Sequence, residues 1–211
     1  SGSADPELLK SISTNFWVMM SQASRALEDK RWDTCTNIAG TLIEKMPQQR
    51  GAGSAYGIMA EATRRTGDTN QEIAILDKWL QIDGEALGAS QRLLELLVGQ
   101  TNWSRAIQAG YIALSINPLV EEPYGLLAKA YRETGQKEEA IQAFRTELLL
   151  NAPDAAGAHF QIAQLLPPQA PEAKREALKA LEEAPRFIEA HKLLQQITSS
   201  DSKSAEAPPK P

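Results

Sequence analysis

The sequence has few of the residue types that carry out catalysis or hold metals. Its 211 residues include one cysteine, Cys35, and two histidines, His159 and His191. A single cysteine excludes a disulfide within the chain. Neither histidine has cysteine or carboxylate neighbours at the spacing of a ligand set, which argues against a metal site. We therefore expect all three residues to serve in packing, and we expect no metal and no cofactor.

An excess of positive charge is also missing. The chain has 22 Lys and Arg against 27 Asp and Glu, for a net charge of −5, with the two signs interspersed. Nucleic-acid binding depends on an excess of Lys and Arg facing the phosphates, and this composition argues against it. No apolar run approaches the roughly 20 residues that span a bilayer. We predict neither nucleic-acid binding nor membrane insertion.

Catalytic motifs are likewise not found. Glu121-Glu122 and Glu182-Glu183 are paired carboxylates, but adjacent residues on a helix point apart and cannot act as an acid–base pair. The glycine-rich stretch "GAGSAYG" at residues 51–57 lacks the lysine of a phosphate-binding loop and follows no strand. A Cys–His pair would need hydrogen-bond contact, and these residues fall in opposite halves of the chain. We predict that the chain is not an enzyme.

The sequence does contain a repeat with a period of about 34 residues. Its clearest copy begins at Tyr124 with "YGLLAKAYRETGQKEEAIQAF". Looser copies precede and follow it, and "RWDTC" and "NWSRA" place Trp32 and Trp103 three residues before a small residue. Apolar residues at i, i+3, i+4 and i+7 predict helices with an apolar stripe. Each copy therefore predicts a pair of amphipathic helices that must stack on its neighbours.

Glycines and prolines mark the ends of the predicted helices. Gly67 and Gly135 stand where the first helix of a pair should end in a left-handed residue. Prolines follow the second helices, because proline cannot continue a helix. These prolines are Pro47, Pro118, Pro153 and Pro185. Glu72 departs from the pattern, since it stands where a small residue is expected, and we expect altered packing there.

This pattern resembles the tetratricopeptide repeat, whose signature is W-x2-L-G-x2-Y, then A-x3-F, then P. The matching residues of the clearest copy are Tyr124, Leu127, Ala128, Tyr131, Ala140, Phe144 and Pro153. The resemblance covers roughly residues 13–186, or about five units of the period. It implies an all-α fold, an α-solenoid of about five helix pairs, to which residues 186–197 add a capping helix with Phe187, Ile188 and Leu194 inward.

Three segments follow from this interpretation. "SGS" at residues 1–3 has the look of an expression scar. Residues 4–198 should form the solenoid domain. The polar, Pro- and Ser-rich tail at residues 199–211 has too little apolar surface to order itself, so we predict disorder there.

The resemblance also implies a binding groove, because the first helix of each pair lines the concave surface of such arrays. The groove positions that carry over are Trp17, Met20, Tyr56, Glu61, Arg64, Arg65, Gln91, Arg92, Glu95, Lys129 and Arg132. Gly57, Gly88 and Gly125 should leave open room in it. Five of these residues are cations, namely Arg64, Arg65, Arg92, Lys129 and Arg132, and they favour a partner with an acidic segment. The Lys/Asn clamp of chaperone-binding members does not occur at these positions.

The run "NFWVMM" at residues 15–20 places five apolar residues in a row. On a helix, such a run covers more than one face. In the repeat register Met19 faces its pair partner, Phe16 and Val18 face the adjoining layer, and Trp17 and Met20 point into the groove. The first helix could be covered by its own N-terminal turns, by a ligand, by a second copy of the chain, or by an upstream domain.

Two functions are compatible with these features. The first is a non-enzymatic scaffold that binds a protein or peptide in its concave groove, with a homodimer through the N-terminal helix as a further possibility. The second is a C-terminal accessory module of a larger enzyme. "ALEEAPRFIEAHKLLQQI" at residues 180–197 looks similar to repeat segments that follow peptidase domains in some bacterial secreted proteins.

Overall fold

The structure, a computed structural model, describes residues 6–51 and 53–205. Within those ranges the chain forms eleven α-helices and no β-strand, so the all-α prediction is confirmed. The helices are α1 Pro6–Glu28, α2 Trp32–Lys45, α3 Ala55–Thr66, α4 Thr69–Ile82, α5 Leu87–Gly99, α6 Trp103–Ile116, α7 Glu122–Glu133, α8 Lys137–Leu149, α9 Ala155–Leu165, α10 Pro171–Glu183 and α11 Ile188–Ala205. They correspond to five helix pairs and one further helix, as the repeat predicts.

The turns inside the pairs follow from glycine and aspartate chemistry. Gly67 directly follows α3 with a φ of +80°, and Gly135 follows α7 with a φ of +78°. Glycine adopts this left-handed conformation without the steric cost that a Cβ brings. The Asp68 side chain then accepts a hydrogen bond of 3.0 Å from the backbone N–H of Gln71 and caps α4. The predicted helix ends at Gly67 and Gly135 are therefore confirmed.

The chain divides into two compact units, one ending at Leu96 and the other beginning at Leu97. In the first unit α1 packs on α2, α2 on α3, and α3 on α4. Its core contains fully buried small residues, including Ala23, Ala26, Cys35 and Ala39, which let helix backbones approach closely. Leu42 and the other larger apolar side chains fill the space between them.

In the second unit each helix from α6 to α11 packs on the next. Its core is built from the signature positions of the clearest repeat, including Leu127, Ala128, Ala140 and Phe144. The Leu127 side chain of α7 packs directly against the backbone of α6 at Gly110, where an added Cβ would lie 2.5 Å from Leu127 Cγ. The residues that define the repeat in the sequence are therefore the residues that form the core of this unit.

Replacing Ala128 with leucine should lower the free energy of unfolding by about 1–3 kcal/mol, because the larger side chain overpacks a fully buried site. Denaturant titration followed by circular dichroism measures this loss. Ala74→Leu is the control, since Ala74 lies exposed on a helix and a surface change should stay within about 0.5 kcal/mol. Equal stability of both variants would contradict the packing assigned to Ala128.

The C-terminal end differs from the sequence prediction in two respects. Helix α11 continues to Ala205, so residues 199–205 are helical where we expected an irregular tail. No glycine or proline interrupts the chain between residues 187 and 207, which leaves the helix free to extend. Ile188 is 62% exposed, so its predicted inward position is wrong, whereas Phe187 and Leu194 pack against the core. Residues 1–5 and 206–211, with the expression scar and the end of the tail, lie outside the described residues.

Candidate functional site

Two of the arginines predicted to line a groove, Arg64 and Arg65, are exposed on α3. Arg65 Nε donates to Glu61 Oε1 at 2.6 Å, and Arg64 Nη1 lies 3.9 Å from Glu61 Oε2. The Arg64 and Arg65 side chains are 53% and 61% exposed. Exposed ion pairs of this kind contribute only about 0–1 kcal/mol. Either guanidinium can therefore exchange Glu61 for the carboxylate of a partner at little cost.

Arg92 on α5 is instead bound into the fold. Its Nε and Nη2 donate to the two carboxylate oxygens of Glu72 at 2.7 and 3.2 Å, and its Nη1 donates to Glu95 at 2.7 Å. The Glu72 side chain is 4% exposed. The hydrogen bonds from Arg92 to Glu72 and Glu95 raise the pKa of the guanidinium despite its burial. This differs from the expectation that Arg92 faces an acidic partner, and it is the altered packing that Glu72 led us to expect.

Two residues assigned to the groove are buried instead. Met20 is 8% exposed and lies in the core of the first unit, on the same stripe as Ala23 three residues later. Tyr56 is 4% exposed, and its hydroxyl donates to the carbonyl oxygen of Pro47 at 3.0 Å, which fastens the α2–α3 connection. The prediction that Met20 and Tyr56 line a groove is therefore wrong. Gln91 and Glu95 are half-buried on α5.

In the second unit α7 carries Lys129 and Arg132, two more of the residues predicted to line a groove. Lys129 is exposed and forms no ion pair with the described residues. Arg132 donates to Glu133 at 2.6 Å and also to Gln161 on α9. The room expected at Gly125 is filled, because a Cβ there would lie 2.6 Å from Glu147 Oε1.

The space at Gly88, in the first unit, is open as expected. A Cβ added there would meet nothing within 4 Å.

The end of the first unit near α1 and α2 presents apolar surface. Trp17 is 69% exposed and Val18 50%, although we expected Val18 to face a neighbouring layer. The Phe16 and Trp17 rings meet edge to face with centroids 5.6 Å apart. Beside them is a cleft of about 360 Å³, lined by Asn15, Phe16, Met19, Leu42, Lys45 and Met46. The exposure of Trp17 agrees with its expected position, and its role in binding stays a prediction.

Of the two histidines and the cysteine, only Cys35 packs in the core, because His191 is exposed with its Nε2 3.0 Å from the carbonyl oxygen of Pro185 and His159 contacts a carboxylate. His159 Nδ1 lies 2.6 Å from Glu176 Oε2, and Lys179 Nζ donates to Glu176 Oε1 at 2.9 Å. Burial alone would raise the pKa of Glu176, but the hydrogen bonds from Lys179 and His159 outweigh it and lower that pKa. Cys35 is fully buried, and burial raises the pKa of its thiol, which keeps it protonated and unreactive.

The described residues contain no group of three or more His, Cys, Asp and Glu side chains placed to hold a metal ion. None of their helices combines the length and apolar character needed to cross a membrane.

One cleft was not anticipated from the sequence. It lies in the second unit between α6, α7 and α8, has a volume of about 380 Å³, and is bordered by Tyr111, Tyr124 and Tyr131. Tyr111 is 58% exposed although it is a large aromatic residue. The groove positions implied by the resemblance all lie on first helices, whereas Tyr111 lies on α6, a second helix. An aromatic residue at a position outside the repeat signature was the signal that could have revealed it.

Comparison with known proteins gives a consistent set of similarities. Residues 55–149 match the family model described as the bacterial transcriptional activator domain. No curated protein sequence matches the chain. Among solved structures, the chain is similar to YrrB, described as a tetratricopeptide repeat protein with an unusual peptide-binding site. The identity is 16% and the TM-score 0.66, over 82% of this chain and 88% of YrrB.

Two structures of MamA are also similar. One shares 16% identity with a TM-score of 0.61, over 93% of this chain and 98% of MamA. The other, from Desulfovibrio magneticus RS-1, shares 15% identity with a TM-score of 0.59, over 91% of this chain and 97% of that one.

Proposed function

We propose that this chain, which has the fold of the tetratricopeptide repeat proteins, is a non-enzymatic scaffold that binds a protein or peptide on the faces of its first helices. The resemblance found in the sequence is confirmed at the level of this fold. Such a fold presents helix faces of mixed charge, and we found no catalytic constellation among the described residues. The same role would serve a free-standing scaffold or an accessory module of a larger enzyme.

The observation that carries the proposal is the pair of exposed arginines on α3. Arg64 and Arg65 are held only by ion pairs to Glu61 that lie at the surface. A partner carboxylate that replaces Glu61 loses little and gains two guanidinium donors. We propose that the partner presents an acidic segment to Arg64 and Arg65. In the second unit, Lys129 offers a further exposed cation.

A fluorescein-labelled tetraglutamate peptide should bind the full chain, and the double variant Arg64→Glu/Arg65→Glu should weaken that binding about tenfold or more. Reversing two charges replaces attraction with repulsion at the contact. Fluorescence anisotropy measures the dissociation constant. Binding should also weaken as salt rises through physiological strength, where charges more than about 8 Å apart are largely screened.

Lys174→Glu/Arg175→Glu is the matched control, because these adjacent cations are exposed on α10. It changes the net charge by the same amount on a different helix. Equal weakening by the two double variants would mean that the peptide senses only net charge. Binding that does not respond to salt would also contradict an acidic partner.

A further inference from the structure

Three tyrosines and two leucines form an aromatic cleft in the second unit, here called the tyrosine cleft. Tyr111 and Leu114 come from α6, and Tyr124, Leu127 and Tyr131 come from α7. The cleft has a volume of about 380 Å³, and its remaining border is formed by residues of α8 between Glu138 and Thr146. An exposed tyrosine beside a pocket of this size offers a rigid aromatic contact surface of the kind enriched at interfaces.

Hydrogen bonds fix two of the three tyrosines to the protein. The Tyr131 hydroxyl donates to the Tyr111 hydroxyl at 2.6 Å, and Tyr131 is itself 6% exposed. The Tyr124 hydroxyl donates to the carbonyl oxygen of Pro118 at 3.0 Å. Two of the three phenol O–H groups are thus satisfied internally. What the cleft offers a partner is chiefly aromatic and aliphatic surface that is already held in place.

The border of the tyrosine cleft on α8 is negatively charged. Glu138 and Glu139 lie in the first turn of α8 and line the cleft. Both are exposed, and neither forms an ion pair with the described residues. No lysine or arginine is among the described residues that line this cleft.

The charge of Glu139 acts on Tyr131. Burial, the hydrogen bond to Tyr111 and the nearby charge of Glu139 all raise the pKa of Tyr131, so its phenol stays protonated. Aromatic rings attract a cation over their faces, and the two carboxylates add attraction of the same sign.

We propose that the tyrosine cleft binds an arginine or lysine side chain from a basic segment of a partner protein. This site is distinct from the α3 surface proposed above for an acidic segment. On α7, at about 100° per residue, Lys129 lies about 140–160° around the helix from Tyr124 and Tyr131, whereas Arg132 lies about 80–100° from them. The two proposals assign partners of opposite charge to the α3 surface and to the tyrosine cleft.

The test uses the full chain and three labelled peptides, namely tetra-arginine, tetralysine and tetracitrulline. Citrulline keeps the shape of arginine but carries no charge. Tetra-arginine or tetralysine should bind, and tetracitrulline should bind at least about fivefold more weakly, since a neutral group loses the cation–π attraction. Tighter binding of tetra-arginine than of tetralysine would assign the cleft to arginine, and the reverse order to lysine. Equal binding of tetracitrulline would overturn the proposal.

Variants show where the peptide binds and distinguish binding at the cleft from attraction by the net charge of the chain. Tyr111→Ala should weaken binding of the cationic peptide about fivefold, and Glu138→Gln/Glu139→Gln should do the same. Glu182→Gln/Glu183→Gln removes the same charge from exposed residues of α10 and should change binding less than about twofold. If both double variants weakened binding equally, the peptide would be attracted by the overall negative charge of the chain and not by the cleft, and the proposal would be overturned.

Self-association provides the last discriminating measurement. Tyr111→Ala removes the acceptor of the buried Tyr131 hydroxyl, so it should lower the midpoint of thermal unfolding, and binding is compared at a temperature at which circular dichroism shows both proteins folded. Sedimentation velocity of both proteins should give the same oligomeric state. A self-association lost in Tyr111→Ala would assign the cleft to a second copy of this chain and would overturn the proposal of a basic partner.

Discussion

Replacing Arg92 with methionine is expected to lower the free energy of unfolding by about 3 kcal/mol. The reason lies in Glu72, whose side chain is 4% exposed and receives both of its guanidinium hydrogen bonds from Arg92. Methionine keeps most of the volume of the side chain but leaves the Glu72 carboxylate buried without a counter-charge. Denaturant titration followed by circular dichroism measures the loss.

The double variant Glu72→Ala/Arg92→Met should recover most of that stability. It removes both charges together, and it places alanine where the other repeats carry a small residue, as at Ala106, Ala140 and Ala173. Glu72→Ala alone should cost about 1 kcal/mol or less, because Arg92 is 27% exposed and keeps Glu95 as its partner. A double variant as unstable as the sum of the two single changes would show that Arg92 and Glu72 do not stabilise each other.

The fold could be predicted from the sequence because its determinants are local. Gly67 and Gly135 end the first helices through their own backbone conformation, with φ values of +80° and +78°. Ala140 and Ala173 are fully buried at positions that the repeat marks as small. Each of these residues acts within one helix pair, so the period and the residue type together were enough to place it.

The candidate site could be predicted only in part, because its side chains form contacts with residues that are distant in the sequence. Arg64 and Arg65, which the repeat register assigns to the groove, are exposed on α3, and their role in binding stays a prediction. The register says nothing of the ion pair between Arg92 and Glu72, which are 20 residues apart and meet only after α4 and α5 have packed. A register that was carried over from a family also cannot anticipate that Met20 joins the core of this chain.

The tyrosine cleft was not predicted from the sequence, for a related reason. Tyr111 lies on a second helix, outside the positions of the repeat signature, and becomes part of a cleft only because Gly110 lets α6 approach Leu127 of α7. Tyr131 matches the repeat signature and is buried. Its hydrogen bond to Tyr111 shows that one signature position borders both the core and a surface cleft.

Two tryptophans of the first unit should respond to the same substitution in opposite ways. Trp79 is 8% exposed, and Trp79→Ala should cost about 3–5 kcal/mol, the loss typical of a deleted core aromatic. Trp17 is 69% exposed, and Trp17→Ala should change the free energy of unfolding by only about 0.5 kcal/mol. Circular dichroism is the appropriate probe in both titrations, because each substitution also alters the intrinsic fluorescence.

A third variant separates the volume of Trp79 from its polar group. Among the described residues, the buried Trp79 Nε1–H has no hydrogen-bond acceptor, and an unpaired buried donor costs about 1–3 kcal/mol. Trp79→Phe removes that donor together with part of the ring, so it should cost far less than Trp79→Ala. A Trp79→Phe loss as large as that of Trp79→Ala would mean that the Nε1–H has a partner.

The role of Trp17 follows from measuring self-association on the same Trp17→Ala sample. Tryptophan at a surface offers the large apolar contact area that interfaces favour, and Trp17 lies beside the apolar cleft of about 360 Å³ at α1 and α2. A small stability loss with weakened self-association in sedimentation velocity would assign this surface to a homodimer. A small loss with unchanged association would assign it to a different partner. A loss above about 3 kcal/mol would place Trp17 in the core and contradict its role as a surface contact.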